Sequence, residues 1–462
     1  MALASPIRSM PNELLAHILR HVPHGRSSPT STFRLAHVCR RWRAVALEEP
    51  QLWTQLTLED AQATGVDAVE QIHAWFSRAH PLSVSLTVRA PARDAPQRES
   101  AVHILDETIL PLAPQISALD IDNTYARMVK LTRFPPCSFP KLVVLHLKLP
   151  HDAHGSPLPS SVFSELGQLR SLSIDSLYSL TNQSLDVTMP IPWDHLQQME
   201  LFHIDSVHDF TEAFRRCKSL RWAVLHFSSW GRPQTPIDPV ELLHLETLDV
   251  RSDCWPDALL SAVSLPSLEE FELHLGDQYH KQLDLSAWGD LQALAEQAPQ
   301  LQSLTMRHVD LRGDEEQFAS LLERLPNLER LEIAYFTMNP RCILPLFQYH
   351  HKLVPRLRVL HFRRVSVGAF DMYQAGPIYS DAYEVLIHIL EDRDFHEFTI
   401  NWNIWDYKKM PLNRCEDAVR MLYDMVGDYV DGTMIYVEDI HSLYDRIRDR
   451  EDGYGSDTGD SY

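Results

Sequence analysis

Twenty-four histidines and sixty-three carboxylates in a chain of 462 residues invite a search for metal or hydrolytic chemistry. His151-x-x-His154 lies in a stretch flanked by glycine and proline, and His350-His351 are adjacent on no obvious face. A zinc centre needs three or four convergent ligands, and neither pair has a third donor at a fixed interval. Glu270, Glu272 and His274, with Asp249 one repeat earlier, form a near-cluster of acids and imidazole. Alternate residues of a strand share a face, so these groups are expected on a solvated strand surface. There is no Gly-x-Ser-x-Gly elbow, no phosphate-cradling loop ending in Gly-Lys-Ser/Thr and no His-Glu-x-x-His. Of only 15 glycines, three fall in the last twelve residues, which leaves a poor supply for nucleotide cradles. The sequence assigns no catalytic residue, no metal ligand and no cofactor; the chain is expected to be non-catalytic.

What remains is binding chemistry, and charge restricts the partner. Forty-two basic against 63 acidic residues give a net charge of −21. Nucleic-acid binders and anionic-membrane binders concentrate Lys and Arg, so both partners are excluded and a protein client is expected. Residues 1–55 run the other way, with seven arginines against three glutamates. Cys39, Cys137, Cys217, Cys254, Cys342 and Cys415 lie far apart with no Cys-x-x-Cys, as expected of reduced thiols. No signal-peptide core and no run of about twenty apolar residues is present. A soluble protein of the cytoplasm, the nucleus or both is expected.

The elements that would present such a binding surface are repeats. A Leu-x-x-Leu-x-Leu segment recurs eleven times, with first positions at 116, 142, 169, 196, 220, 245, 268, 301, 328, 357 and 395. The intervals run from 23 to 38 residues, around the leucine-rich-repeat period. Leu82–Val88 alternates strictly and reads as an additional strand before the array. A proline precedes several copies, as in Phe139-Pro140-Lys141-Leu142 and Leu325-Pro326-Asn327-Leu328, and would stop the preceding helix. Helices are expected over Val66–Phe76, Leu291–Gln297 and Gln317–Leu325. One strand per repeat cannot bury its apolar side alone, so neighbours must stack into a parallel-sheet solenoid.

The residues between the leucines then line the inner face of the sheet. Among them Phe202, Trp222, Arg251, Arg307, His361 and Arg363 are of the types that dominate protein hot spots and are the candidate client-binding residues. Beyond residue 402, Glu416–Val430 and Val437–Ile447 read as helices that cover the open end of the array, the alternative being an aromatic ligand pocket around Trp402 and Trp405. Glu451–Tyr462, with four acids and no lysine or arginine, reads as a disordered tail.

At the other end, Met10-Pro11-x-Glu13-Leu14-Leu15-x-x-Ile18 sets apolar residues at helical spacing behind a first-turn proline. Leu35, Val38, Cys39 and Trp42 repeat that period through Val38-Cys39-Arg40-Arg41-Trp42, and Pro50-x-Leu52-Trp53 follows. Order and spacing resemble the F-box motif, with Met10 where leucine is usual and a longer loop, Pro23 to Thr32. The repeats resemble the degenerate leucine-rich repeats that often follow an F-box. This resemblance implies docking to a Skp-type adaptor, and through it to a cullin, by Met10, Pro11, Leu14, Leu15, Ile18, Leu35, Val38, Cys39 and Trp42.

The expected fold class is α/β. It comprises a three-helix F-box over residues 1–55, a curved leucine-rich-repeat-like solenoid over 56–405, a helical C-terminal cap over 406–450 and an acidic tail over 451–462. The resemblance implies a substrate-receptor subunit of an SCF-type cullin-RING ubiquitin ligase that holds a protein client on the solenoid. The alternative is an adaptor-binding scaffold with no ubiquitylation client.

Overall fold

A computed structural model describes residues 10–21, 34–58, 66–89, 109–122, 134–149, 161–163, 165–176, 191–204, 207–227, 239–253, 255–256, 259–276, 281–335, 343–344, 346–347, 353–365, 397–402 and 434–437. The chain forms two compact units, the first Met1–Ile204 with Glu212–Leu220, the second Asp205–Thr211 with Arg221–Tyr462.

The first unit opens with helix α1 (Asn12–His21), a helical turn over 34–37, α2 (Arg40–Glu48) and a 3-10 turn (Pro50–Trp53). The Cys39 sulfur caps α2 by accepting from the Trp42 N–H at 3.5 Å. A sulfur cap stands in for the oxygen cap that helices prefer. β1 (Gln55–Leu58), α3 (Val66–Ala79) and β2 (Val84–Val88) follow, then β3 (Ile116–Asp122), β4 (Val144–Leu149), β5 (Ser171–Ser176) and β6 (Gln198–Ile204). These six strands pair in chain order and all in parallel.

The second unit repeats the arrangement with β7 (Trp222–Phe227), β8 (Thr247–Ser252), β9 (Glu270–Leu275), β10 (Ser303–Arg307), β11 (Arg330–Ala334), β12 (Val359–Val365), β13 (Glu397–Trp402) and β14 (Met434–Val437). Each pairs in parallel with the next. Helix α4 (Leu285–Gln297) fills the interval before β10, and α5 (Glu315–Glu323) the interval before β11. Among the described residues, no helix is long and apolar enough to cross a membrane.

All eleven predicted copies are strands, and their leucines explain why. In the copy Leu268, Phe271, Leu273 all three side chains are buried, as are Leu328, Leu331 and Ile333. In eight copies the first leucine also closes a turn. Leu142, Leu169, Leu196, Leu245, Leu268, Leu301, Leu328 and Leu357 each donate their N–H to the carbonyl three residues back, at 2.9 to 3.4 Å. Pro140, Pro266, Pro299 and Pro326 therefore occupy the second position of a four-residue turn, where a fixed φ favours the bend. The first residue of each proline turn (Phe139, Leu265, Ala298, Leu325) is itself buried, so each proline turn joins two buried side chains.

The C-terminal region departs from expectation at one place. Met434–Val437, at whose end a cap helix was expected to begin, is a strand paired with Glu397–Ile400. A run of four apolar residues has no length over which a helical period can be told from a strand's, and an unpaired strand edge is a template for one more parallel strand. The rest of the expected cap and the acidic tail lie outside the described residues, as do Trp405, the His151/His154 and His350/His351 pairs, Cys254, Cys342 and Cys415.

Candidate functional site

Among the described residues two surfaces stand out, one in each unit. In the first, α1 and α2 are joined by polar ties from arginines. Arg41 donates through Nε to Asn12 Oδ1 at 3.0 Å and through a second nitrogen to the Met10 carbonyl. Arg43 Nε donates to the Ala36 carbonyl at 3.0 Å, and Arg20 pairs with Glu49 at 3.2 Å. Beneath them Trp53 is buried, donates its indole N–H to the Ala46 carbonyl at 2.8 Å and meets Trp75 edge-on. The Arg78 guanidinium sits 4.7 Å above its ring.

This scaffold sorts the predicted docking residues by depth. Leu15 is buried with Leu19, Ala16 and Ala46, so it supports the surface from within. Leu14, Ile18 and Val38 point outward and are 54, 42 and 60% exposed. Leu14 and Ile18, four residues apart, share one helix face, and the Arg41 ties bring the segment bearing Val38 to the start of α1. Pro11 and Cys39 are exposed, and Met10, Leu35 and Trp42 are partly exposed. A small module that shows three large aliphatic side chains to water has the composition of an interface rather than of a finished surface.

Residues 7–59 match the family model of the F-box-like domain. They form an F-box-like domain. The match accounts for the three spaced segments and extends through β1. Solved structures similar to parts of the chain include a protein from Bacteroides fragilis at 13% identity, covering 63% of this chain and 75% of that one, with a TM-score of 0.37. The TLR13–ssRNA13 complex is similar at 14% identity, 88% and 59% coverage and a TM-score of 0.41. The APL1 leucine-rich repeat domain is similar at 13% identity, 84% and 86% coverage and a TM-score of 0.29. No curated protein matches the chain.

The second surface is the strand face downstream of the F-box-like domain. Register fixes its rows in the second unit: Asp249, Glu272, Thr305, Glu332 and His361 lie side by side on successive strands, with Arg251, His274, Arg307, Ala334 and Arg363 in the row next to them. Arg251 grips Asp249 with two nitrogens, the shorter contact being 2.6 Å. The His274 ring bonds Glu272 at 3.0 Å. Glu332 gathers three basic side chains, with Arg307 at 3.5 Å, the His361 ring at 3.5 Å and Arg363 at 3.7 Å. The second ring nitrogen of His361 lies 2.9 Å from Glu397.

These contacts set the carboxylates' acidity. The hydrogen bond with His361 is the main reason the Glu332 carboxyl sits below its ordinary range, with Arg363 and Arg307 adding to it against the opposing effect of burial. Glu272 is lowered likewise, chiefly by its hydrogen bond with His274. His361 is 1% exposed, so this predicted contact residue stands behind the surface and positions Glu332 and Arg363. Arg251, Arg307 and Arg363 reach the surface, while Trp222 and Phe202 are partly exposed on their strands.

Asp249, Glu272 and His274 bring three possible ligand atoms within 4.8 Å of one another. The guanidinium of Arg251 already holds Asp249 and the His274 ring holds Glu272, so these groups are engaged with one another within the chain.

One feature of this face carried no sequence signal. His308, Tyr335 and Arg364 follow directly on the row residues Arg307, Ala334 and Arg363, and all three have positive φ (62, 53 and 55°) without being glycine. Such backbones cost of order 1 kcal/mol each or more. Here side chains offset it: the His308 and Tyr335 rings stack at 4.7 Å, and the Arg364 guanidinium lies 4.7 Å from the Tyr335 centroid. The three turns are thus locked to one another, in the region where consensus repeats carry an asparagine ladder.

Proposed function

We propose that the chain is a substrate-receptor subunit of an SCF-type cullin-RING ubiquitin ligase. In this reading the F-box-like domain docks a Skp-type adaptor, and the strand face holds a protein client. The observation that carries the reading is the outward stripe of Leu14, Ile18 and Val38 within the matched residues, held in place by Arg41 and the buried Trp53. In this reading the parallel strands of the second unit present the client, and catalysis is by positioning, with the reacting groups supplied by the ligase. The chain itself, in this reading, supplies no reacting group.

The test is to express the full chain and a Leu14→Ala/Ile18→Ala/Val38→Ala variant in cells and to measure both cullin co-purification and the abundance of proteins bound to each. A receptor loses cullin in the variant while its bound client accumulates. A bound protein whose level is the same with either form would make the chain an assembly scaffold instead.

A further inference from the structure

We propose that Arg34 and Arg40 are partner-contacting residues, and that the surface received by the stripe of Leu14, Ile18 and Val38 is an apolar groove bordered by carboxylates. This deepens the adaptor-docking reading and rests on it. The arginines of the F-box-like domain divide into two sets. Arg20 is paired with Glu49, Arg41 is tied to Asn12 and the Met10 carbonyl, and Arg43 Nε donates to the Ala36 carbonyl. Those three hold the fold. Arg34 and Arg40 are exposed and, among the described residues, enter no ion pair. Both stand beside Val38. The Val38 N–H donates to the Leu35 carbonyl at 3.4 Å, so the helical turn closes on Val38 and Arg34 lies one turn before it. Arg40 opens α2 two residues later.

Arg40 sits where it weakens its own helix. The first turn of α2 holds no acid, and a cation at a helix N-terminus opposes the partial positive charge of the unsatisfied N–H groups. Arg41, in the same turn, is offset by its bonds to Met10 and Asn12, whereas Arg40 has no such tie. A local rule broken without compensation inside the chain points to compensation from outside it. The rest of the border brings no opposing charge. On α1 the exposed neighbours of Leu14 and Ile18 at helical spacing are His17 and His21, whose rings lie 4.4 Å apart. Glu13 is turned about 100° from Leu14 around the helix, and Glu48 ends α2, about 12 Å along the axis from Arg40. In a chain whose net charge is −21, the fixed charges beside Val38 are therefore two guanidinium groups. The groove that complements them bears carboxylates.

The experiment measures association and dissociation rates of the full chain with a purified Skp-type adaptor by stopped flow, for wild type and Arg34→Glu/Arg40→Glu. Two salt concentrations are used, about 50 mM and about 500 mM, between which the screening length falls from about 14 to about 4 Å. At the lower salt the wild type should associate at least about tenfold faster than the variant. At the higher salt the ratio should fall below about threefold, with dissociation rates changing less. Arg40→Glu also places an acid at the N-terminus of α2, so the variant should melt no lower than wild type. If it does melt lower, Arg34→Gln/Arg40→Gln takes its place, with the same direction expected. A wild-type advantage under about threefold at the lower salt, or one unchanged by salt, would overturn the assignment and leave adaptor docking standing. A wild-type chain that does not bind the adaptor would remove the docking reading and this inference with it. Wild-type self-association at the lower salt, lost in the variant, would make a second copy the occupant and overturn the assignment to a separate partner.

Discussion

Glu332→Gln is the most informative single change in the strand face. The substitution keeps the side chain's volume and removes the charge on which Arg307, Arg363 and His361 converge. Both arginines are open to solvent, so each ion pair is discounted to the surface range, up to about 1 kcal/mol. The contact with buried His361 is worth more, about 1.5–3 kcal/mol for a charge-assisted bond. Together these give a loss of about 3 kcal/mol at neutral pH, or roughly 6–12 °C in the midpoint for a unit of this size. The sign of the pH dependence follows from the lowered Glu332 pKa. A carboxylate depressed below the ordinary 4.5 contributes its full stability above that value and loses it as pH falls through the folded pKa. Thermal unfolding by circular dichroism at about pH 7 and again below about pH 4.5 should show a large gap between wild type and variant that shrinks on acidification. A shift under about 2 °C at neutral pH, or a gap undiminished by acid, would refute the assignment of this cluster as a charge-driven tie across β10, β11, β12 and β13.

Two further outcomes are expected. Trp53→Ala removes a buried indole, its hydrogen bond to Ala46 and the ring under Arg78, and should cost about 3–5 kcal/mol; an unchanged melting midpoint would show that the F-box-like helices do not depend on this core. Burial, with Asp194 adding, pushes the Cys217 thiol up to about 12, leaving on the order of one thiolate in ten thousand at pH 8. Exposed Cys39 should be alkylated long before Cys217 in the native protein, as read by peptide mass mapping, and equal rates would contradict the buried placement.

Much of this architecture was legible because it rests on one-dimensional regularities. A leucine that must be buried in every repeat recurs at a countable interval, and the three F-box segments keep their spacing. Depth was harder to read. Alternation places His361 on the inner face but cannot say that Glu332, Glu397 and Arg363 close over it, because cover comes from neighbouring repeats. The same limit separates buried Leu15 from exposed Leu14, adjacent residues of one apolar run. Arg41 was read only as part of a motif, since its role is to reach Met10 and Asn12 some thirty residues away. The left-handed turns at His308, Tyr335 and Arg364 carried none of the glycine or asparagine that usually marks such backbone; their stability lies in stacking between repeats, which no local pattern encodes.

Adaptor docking is tested most directly by titrating a purified Skp-type adaptor with the wild-type chain and with Leu14→Ala/Ile18→Ala/Val38→Ala in a calorimeter. All three side chains are exposed, so the variant should melt within a few degrees of wild type. One-to-one binding by the wild type, weakened at least a hundredfold in the folded variant, is the expected result, three buried aliphatic anchors being worth about 1–3 kcal/mol each. A wild-type chain that fails to bind the adaptor, or a variant that binds as tightly, would contradict the docking role and with it the ubiquitin-ligase reading.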